Sequence, residues 1–264
     1  MRLNLKCSTG MVNYIDPNPN GTSTVLLLHG LGSDSSSWQF QMGALLNGNR
    51  RPIAVDLPGF GKSTFDNKSW TLNCCADACL EVMDTMRIDK FDLIAISMGG
   101  VVAQLMGLNF PNRINRLVLI NTFACLRPQK LDQWYFLLKR YLTSRLAGKN
   151  EQARLVAERL FPFPEQGVYR DEIIRQIKQS DEKVYKSALT RLGLLDIRKR
   201  IVKIQNKTLV ITAEQDTTVP VQNQVEMAKL IPGAKQVFIP NSRHAVIIDQ
   251  PEMVNQKIVD FLHD

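Results

Sequence analysis

Ala95-Ile96-Ser97-Met98-Gly99-Gly100 is the stretch on which the fold turns. It follows the aliphatic run Leu93 to Ile96 and precedes Val101, Val102, Leu105 and Leu108, which share one face at helical spacing. A strand that ends at a serine and passes at once into a helix must turn tightly. Ala95 and Gly99, two before and two after the serine, are small enough to let the two backbones approach. Such a turn exposes Oγ at the carboxyl end of the strand. It also aims the Met98 backbone N–H and the positive end of the helix dipole at an oxyanion formed beside that oxygen.

Outward from this turn the chain alternates. Runs bounded by turn residues at Thr24 to Leu28, Pro52 to Val55, Leu93 to Ile96, Leu117 to Ile120, Leu209 to Thr212 and Gln236 to Ile239 read as buried parallel strands. Helical faces lie between them: Leu72, Cys75, Ala76, Cys79, Leu80 and Met83; then Val221, Val225, Met227 and Ala228; and, after Pro251, Val254, Ile258, Val259 and Leu262. This is the pattern of an α/β protein with a parallel sheet covered on both faces. From Arg127 to Gln205 no strand-like run appears, whereas Leu131, Trp134, Tyr135, Leu138 and Leu142 follow helical spacing, as do Ile173, Ile174 and Ile177, and Val184, Ala188 and Leu192. The expectation is a core made of residues 1–126 and 206–264, with a helical lid inserted at 127–205 and broken at Phe161 to Gly167 by two prolines and a glycine.

The Ser97 turn resembles the nucleophile elbow of the α/β-hydrolase superfamily, G-x-S-x-G, with Ala95 in place of the first glycine. The resemblance implies a central, mostly parallel sheet with helices on both faces and an inserted lid. A serine needs a base, itself oriented by a carboxylate, to act as a nucleophile near neutral pH. By resemblance the base is His244 in Asn241-Ser-Arg-His-Ala245, and the acid is Asp216 in Ala213-Glu-Gln-Asp-Thr-Thr-Val-Pro220, with Glu214 as runner-up. The order Ser97, Asp216, His244 is that of α/β-hydrolases. An alternative acid position after the strand ending at Ile120 holds Asn121, which cannot supply a carboxylate. His29-Gly30-Leu31-Gly32 matches the family's H-G-x-G segment, so the Leu31 backbone N–H is expected to join that of Met98 in an oxyanion hole, with His29 structural. The likeness runs from about Val25 to Asp260 and includes Leu195-Asp-Ile-Arg198 and Asp249-Gln-Pro-Glu252 as framing segments.

Other readings fall away. Asp56-Leu-Pro-Gly-Phe-Gly-Lys-Ser-Thr64 ends like a phosphate-binding loop, but Asp56 stands where that pattern demands glycine. The stretch resembles instead the family's D-x-x-G-x-G-x-S turn, which implies that Asp56 and the glycines fix a tight turn beside the active site. Cys7, Cys74, Cys75, Cys79 and Cys125 form no C-x-x-C pair and only three histidines are present, so no metal and no cofactor are expected. With 44% hydrophobic and 22% charged residues, disorder is a poor fit. No apolar run approaches a membrane span and no signal-peptide pattern appears, so a cytoplasmic location is expected.

These residues imply a cofactor-independent, carboxylesterase-like serine hydrolase, acting on an ester, lactone or thioester. The alternatives are a carbon–carbon bond hydrolase of meta-cleavage type, or a ligand-binding sensor with slow turnover. Phe123, Trp134 and Phe161 are candidates for substrate contact, with Tyr135, Phe136 and Leu138 beside them. The formal charge of +8 resides in the insertion, where 18 basic residues face 9 acidic ones for a net +9. No nucleic-acid motif accompanies it. By resemblance to pimeloyl-carrier methyl ester esterases, the basic lid implies attraction of an acidic acyl carrier protein or an anionic substrate.

Overall fold

The computed structural model describes residues 2–66 and 69–263. Eight strands form one sheet in the order β1-β2-β4-β3-β5-β6-β7-β8. They are β1 (Arg2–Cys7), β2 (Gly10–Ile15), β3 (Ser23–Leu28), β4 (Arg50–Val55), β5 (Phe91–Ile96), β6 (Ile114–Ile120), β7 (Lys207–Ala213) and β8 (Lys235–Ile239). β1 and β2 are antiparallel and β2 joins β4 antiparallel; all pairings from β4 through β3 to β8 are parallel.

The aliphatic runs serve both faces at once. In β3, Leu26 and Leu28 belong to one apolar cluster and Val25 and Leu27 to the other, all fully buried. A strand walled on both sides cannot alternate with polar residues, which is why these segments read as continuous runs. Each buried aliphatic side chain contributes about 1.5–3 kcal/mol by leaving water. On the first face lie α2 (Leu72–Thr85), α3 (Met98–Asn109) and α9 (Val221–Leu230); on the second lie α1 (Gln39–Asn47) and α11 (Pro251–His263), with α10 (Val246–Asp249) beside them.

Between β6 and β7 the chain forms α4 (Leu131–Leu146), α5 (Gly148–Leu160), α6 (Gly167–Gln179), α7 (Glu182–Gly193) and the short α8 (Arg198–Ile201). The segment leaves and re-enters the core through one neck. Cys125 bridges Asp196 as an isolated antiparallel pair, and the Ile197 N–H donates to the Ala124 carbonyl at 2.9 Å. The α7 face meets the expectation, with Val184, Ala188 and Leu192 buried; on α6 only Ile177 of the three isoleucines is. On α4 the spacing predicts the helix but not its orientation. Leu131, Trp134, Tyr135, Leu138 and Leu142 are all exposed, while Phe136 and Arg140 are buried. No helix of the described residues is long and apolar enough to cross a membrane.

Candidate active site

Ser97, Asp216, His244 and the His29–Gly32 loop sit beyond the carboxyl ends of strands, where loops leave a parallel sheet. Ser97 directly follows β5 with φ 55° and ψ −118°, a conformation that side chains rarely adopt. Two neighbours hold the strain: the Ser97 N–H donates to the Ile120 carbonyl at 3.0 Å, and the Thr122 side-chain hydroxyl donates to the Ser97 carbonyl at 2.7 Å. The turn works only with glycine behind it. A Cβ at Gly99 would lie 2.4 Å from the Leu28 carbonyl oxygen, and one at Gly100 would lie 2.5 Å from Thr122. Ser97 is thereby set at the N-terminus of α3.

His244 and Asp216 come to this serine from loops after β8 and β7. His244 Nε2 lies 3.0 Å from Ser97 Oγ, and its Nδ1 lies 2.8 Å from Asp216 Oδ2. Asp216 is buried, and its carboxylate is filled on every side: Oδ1 accepts from the N–H groups of Thr218 (2.8 Å) and Val219 (2.9 Å), and Oδ2 also accepts from Gln224 Nε2 (3.0 Å). An acceptor held this firmly directs Nδ1–H and leaves Nε2 free to take a proton. Glu214 is exposed and does not join the group.

The loop after β3 runs beside Ser97, since a Cβ on Gly30 would stand 3.3 Å from that of Ser97. Neither the Leu31 nor the Met98 backbone N–H has an acceptor among the described residues. His29 is fully buried; its Nδ1 donates to the Gly30 carbonyl at 2.8 Å and its Nε2 accepts from the Leu57 N–H at 2.9 Å. Both ring nitrogens are occupied, so the ring ties the β3 loop to the β4 loop. Burial pushes its pKa below the ordinary imidazole value, against the opposing pull of the Gly30 carbonyl and of Asp56 and Asp34. Asp56 accepts from the N–H groups of Ser35 (2.7 Å) and Lys62 (2.9 Å), the turn-fixing role expected of it.

Sequence reasoning passed over Asn121, treating it only as an absent acid. It has φ 43°, and its side chain joins three backbone groups: Nδ2 donates to the carbonyls of Arg243 (3.1 Å) and His244 (2.9 Å), while Oδ1 accepts from the Ala213 N–H (2.8 Å). It braces the loops that carry His244 and Asp216. Its tolerance of left-handed backbone after a strand was the available signal.

Above Ser97 and His244 opens a cavity of about 1390 Å³ whose walls are largely apolar. Phe123 and Phe161 line it as buried side chains, and Trp134 lines it at the mouth, where it is 60% exposed. Tyr135 and Leu138 line it too; Phe136 does not, being buried under the Arg159 guanidinium 4.8 Å from its ring centre.

A strained serine at a strand-to-helix turn, within reach of a histidine and a carboxylate, on a parallel sheet covered by helices, has a match among known families. A family model of the alpha/beta hydrolase fold spans residues 23–251, and the chain belongs to that family. It is 27% identical over 252 residues to a Rhizobium rhizogenes protein provisionally named carbamate hydrolase RutD, covering 90% of this chain and 92% of that one. It is 26% identical over 256 residues to 2-hydroxy-6-oxo-6-phenylhexa-2,4-dienoate hydrolase of Burkholderia cepacia, covering 90% of this chain and 87% of the other. Among solved structures, the enol-lactonase of Burkholderia xenovorans superposes with a TM-score of 0.89 at 24% identity, over 99% of this chain and 100% of that one; at that identity the likeness shows the fold.

Proposed function

We propose that the chain is a cofactor-independent serine hydrolase that cleaves a carboxylic ester, lactone or thioester through an acyl-enzyme. The observation that carries this reading is the line of hydrogen bonds from Asp216 through His244 to Ser97, opening on the large apolar cavity. Ser97 Oγ attacks the substrate carbonyl carbon while its proton passes to His244 Nε2. The oxyanion is received by the backbone N–H groups of Leu31 and Met98, each donor contributing about 100- to 1,000-fold in rate. Collapse of the tetrahedral intermediate expels the leaving group, which takes the proton from His244. Water, deprotonated by His244, then attacks the acyl-enzyme, releasing the acid and restoring Ser97. In this reading residues 127–205 are the lid over the cavity. Their net charge of +9 draws an acidic acyl carrier protein or an anionic substrate toward its mouth, an attraction that weakens as salt rises.

Hydrolysis of a vinylogous diketo acid at a carbon–carbon bond is the second reading, favoured by the dienoate hydrolase relative. A fluorophosphonate probe tests the shared core: it labels the wild type at Ser97 and leaves Ser97→Ala unlabelled. An unlabelled wild type overturns the proposal. Aryl esters of rising acyl length, a lactone and a diketo acid separate the two readings, since cleavage of the diketo acid alone would favour the second.

A further inference from the structure

The cavity above Ser97 contains a cation with no counter-charge. Arg140, on α4, lines it and is only 8% exposed. A guanidinium carries five N–H donors and no acceptor. Here Nη2 donates to the Tyr185 hydroxyl at 3.1 Å, Nε is buried without a partner, and no carboxylate of the described residues lies within ion-pair distance. The other deeply buried arginine is treated differently: Arg50, also 8% exposed, has Asp92 at 3.0 Å. Arg175, the second guanidinium in the cavity wall, is matched as well. Glu172 lies 2.6 Å and Asp34 3.5 Å from it, and the hydrogen bond from Arg175 holds the Glu172 carboxyl below its ordinary range. Asp171, the remaining acid in the wall, is exposed on α6.

Taking a guanidinium out of water without an opposite charge is costly, so a buried one is ordinarily paired. Its neighbourhood favours keeping it in place. The Tyr185 hydroxyl accepts from Arg140 and also meets Gln152 Nε2 at 3.2 Å, which fixes the phenol between α4 and α5. Tyr185 is itself pressed against the β3 loop, because a Cβ on Gly32 would come within 2.8 Å of its ring. The arginine is thus anchored through Nη2 to a tyrosine that packs on the loop beside Ser97, while its Nε is buried without an acceptor. A planar anion, and a carboxylate above all, supplies the two oxygens that such a fork takes up.

We infer that Arg140 is the specificity anchor for a substrate that carries a carboxylate on its acyl portion, at the end remote from the carbonyl that Ser97 attacks. The substrate class is then the half-ester, or half-thioester, of a dicarboxylic acid. The inference rests on the serine hydrolase reading for its chemistry, but the anchor itself is a binding site and can be tested as one.

The decisive comparison uses nitrophenyl half-esters of the straight-chain dicarboxylic acids from butanedioate to octanedioate beside neutral nitrophenyl alkanoates of equal length. At one length or more the wild type prefers the half-ester by about 30-fold in kcat/KM, the low end of what truncating one member of a buried charge pair costs. In Arg140→Gln that preference collapses, through KM. In Arg140→Lys, which keeps the charge and loses the fork, it is intermediate. A wild type without preference at any length overturns the inference, as does a preference that survives in Arg140→Gln. Calorimetric titration with free hexanedioate asks the same question without chemistry: binding at least about tenfold weaker to Arg140→Gln supports the anchor, and equal or undetectable binding by both proteins overturns it. Should no ester be cleaved and no probe label Ser97, the hydrolase reading fails while the titration still decides the anchor. Wild-type chain-length preference needs no variant, so misfolding of a substituted protein leaves the question decidable.

Discussion

The side-chain amide of Asn121 donates to the backbone carbonyl of His244 at 2.9 Å. A residue at the end of β6 thus holds the histidine loop after β8, and through Oδ1 it also holds the last residue of β7. Asn121→Ala leaves two carbonyls and one N–H without this partner. Each unsatisfied buried group costs about 1–3 kcal/mol, so denaturant melts should show a loss of at least about 2 kcal/mol. Because the imidazole is no longer fixed, kcat should fall by about 100-fold with KM little changed. Asn121→Asp should not substitute for Asp216, since its second oxygen would face two carbonyl oxygens where Nδ2 now donates. Retained kcat in either variant would remove the positioning role.

Asp216 and Glu214 compete for one assignment and can be separated directly. The Asp216 carboxylate touches His244 Nδ1 at 2.8 Å, whereas Glu214 is exposed. Asp216→Asn keeps the shape but reverses the donor facing the imidazole, and by comparison with other triads kcat should drop about 10,000-fold. Glu214→Gln should change it by no more than a few-fold. Steady-state rates on one aryl ester, normalised to active sites by the fluorophosphonate label, give both numbers.

How far the sequence could be read follows from how local each signal is. The Ser97 turn is local: a strand, a serine and small flanking residues lie within one hexapeptide, and Gly99 and Gly100 show in three dimensions why nothing larger fits. The central parallel strands were legible because both of their faces are buried, whereas β8, at the sheet edge, buries only Ile239. The β1–β2 hairpin was not read as strand. In β1 the partly buried Leu3 and Leu5 alternate with the exposed Arg2, Asn4 and Lys6, so no aliphatic run marks it. That the α4 apolar face stays exposed, with Trp134, Tyr135 and Leu138 on the cavity wall, was hidden because periodicity defines a stripe without saying what it packs against. Asn121 and Arg140 were invisible as functional residues for a related reason. The partners of Asn121 lie 92 to 123 positions away in the chain, and what distinguishes Arg140 is that its one hydrogen-bond partner among the described residues, the Tyr185 hydroxyl, carries no charge.

His29 makes a prediction about pH. Its folded pKa is lowered by burial, so the unfolded chain binds a proton near the ordinary value of about 6.5 while the native ring stays neutral. Below that pH the unfolded state holds more protons, and native stability falls as pH falls, by about 1.4 kcal/mol per unit until the native ring also titrates. The contribution is fully present above the unfolded pKa. Asp92 and Asp249, whose carboxyls burial pushes upward, tilt the acid side the other way, so the comparison must be differential. Between pH 7 and pH 5 the unfolding free energy of the wild type should decline more steeply than that of His29→Gln, which has no ring to protonate. Parallel profiles would mean that His29 binds its proton as readily in the native state as in the unfolded chain, and that burial does not lower its pKa.

Two glycines, both within helices, should respond to alanine with opposite signs. Gly99 begins the second residue of α3, where an added Cβ would sit 2.4 Å from the Leu28 carbonyl oxygen and 2.6 Å from that of His29. These are backbone atoms of a central strand and its loop, so they cannot yield as a flexible side chain would. Gly99→Ala should therefore cost at least about 3 kcal/mol by overpacking and should displace Ser97, lowering kcat in whatever fraction folds. Gly43 lies in α1 with nothing within 4 Å of its ideal Cβ. There alanine removes backbone freedom from the unfolded chain at no steric cost, and Gly43→Ala should raise stability by about 0.5–1 kcal/mol with activity unchanged. Denaturant midpoints measured side by side check both signs. If Gly99→Ala proved as stable as the wild type, the close approach of α3 to the β3 loop would have to be abandoned.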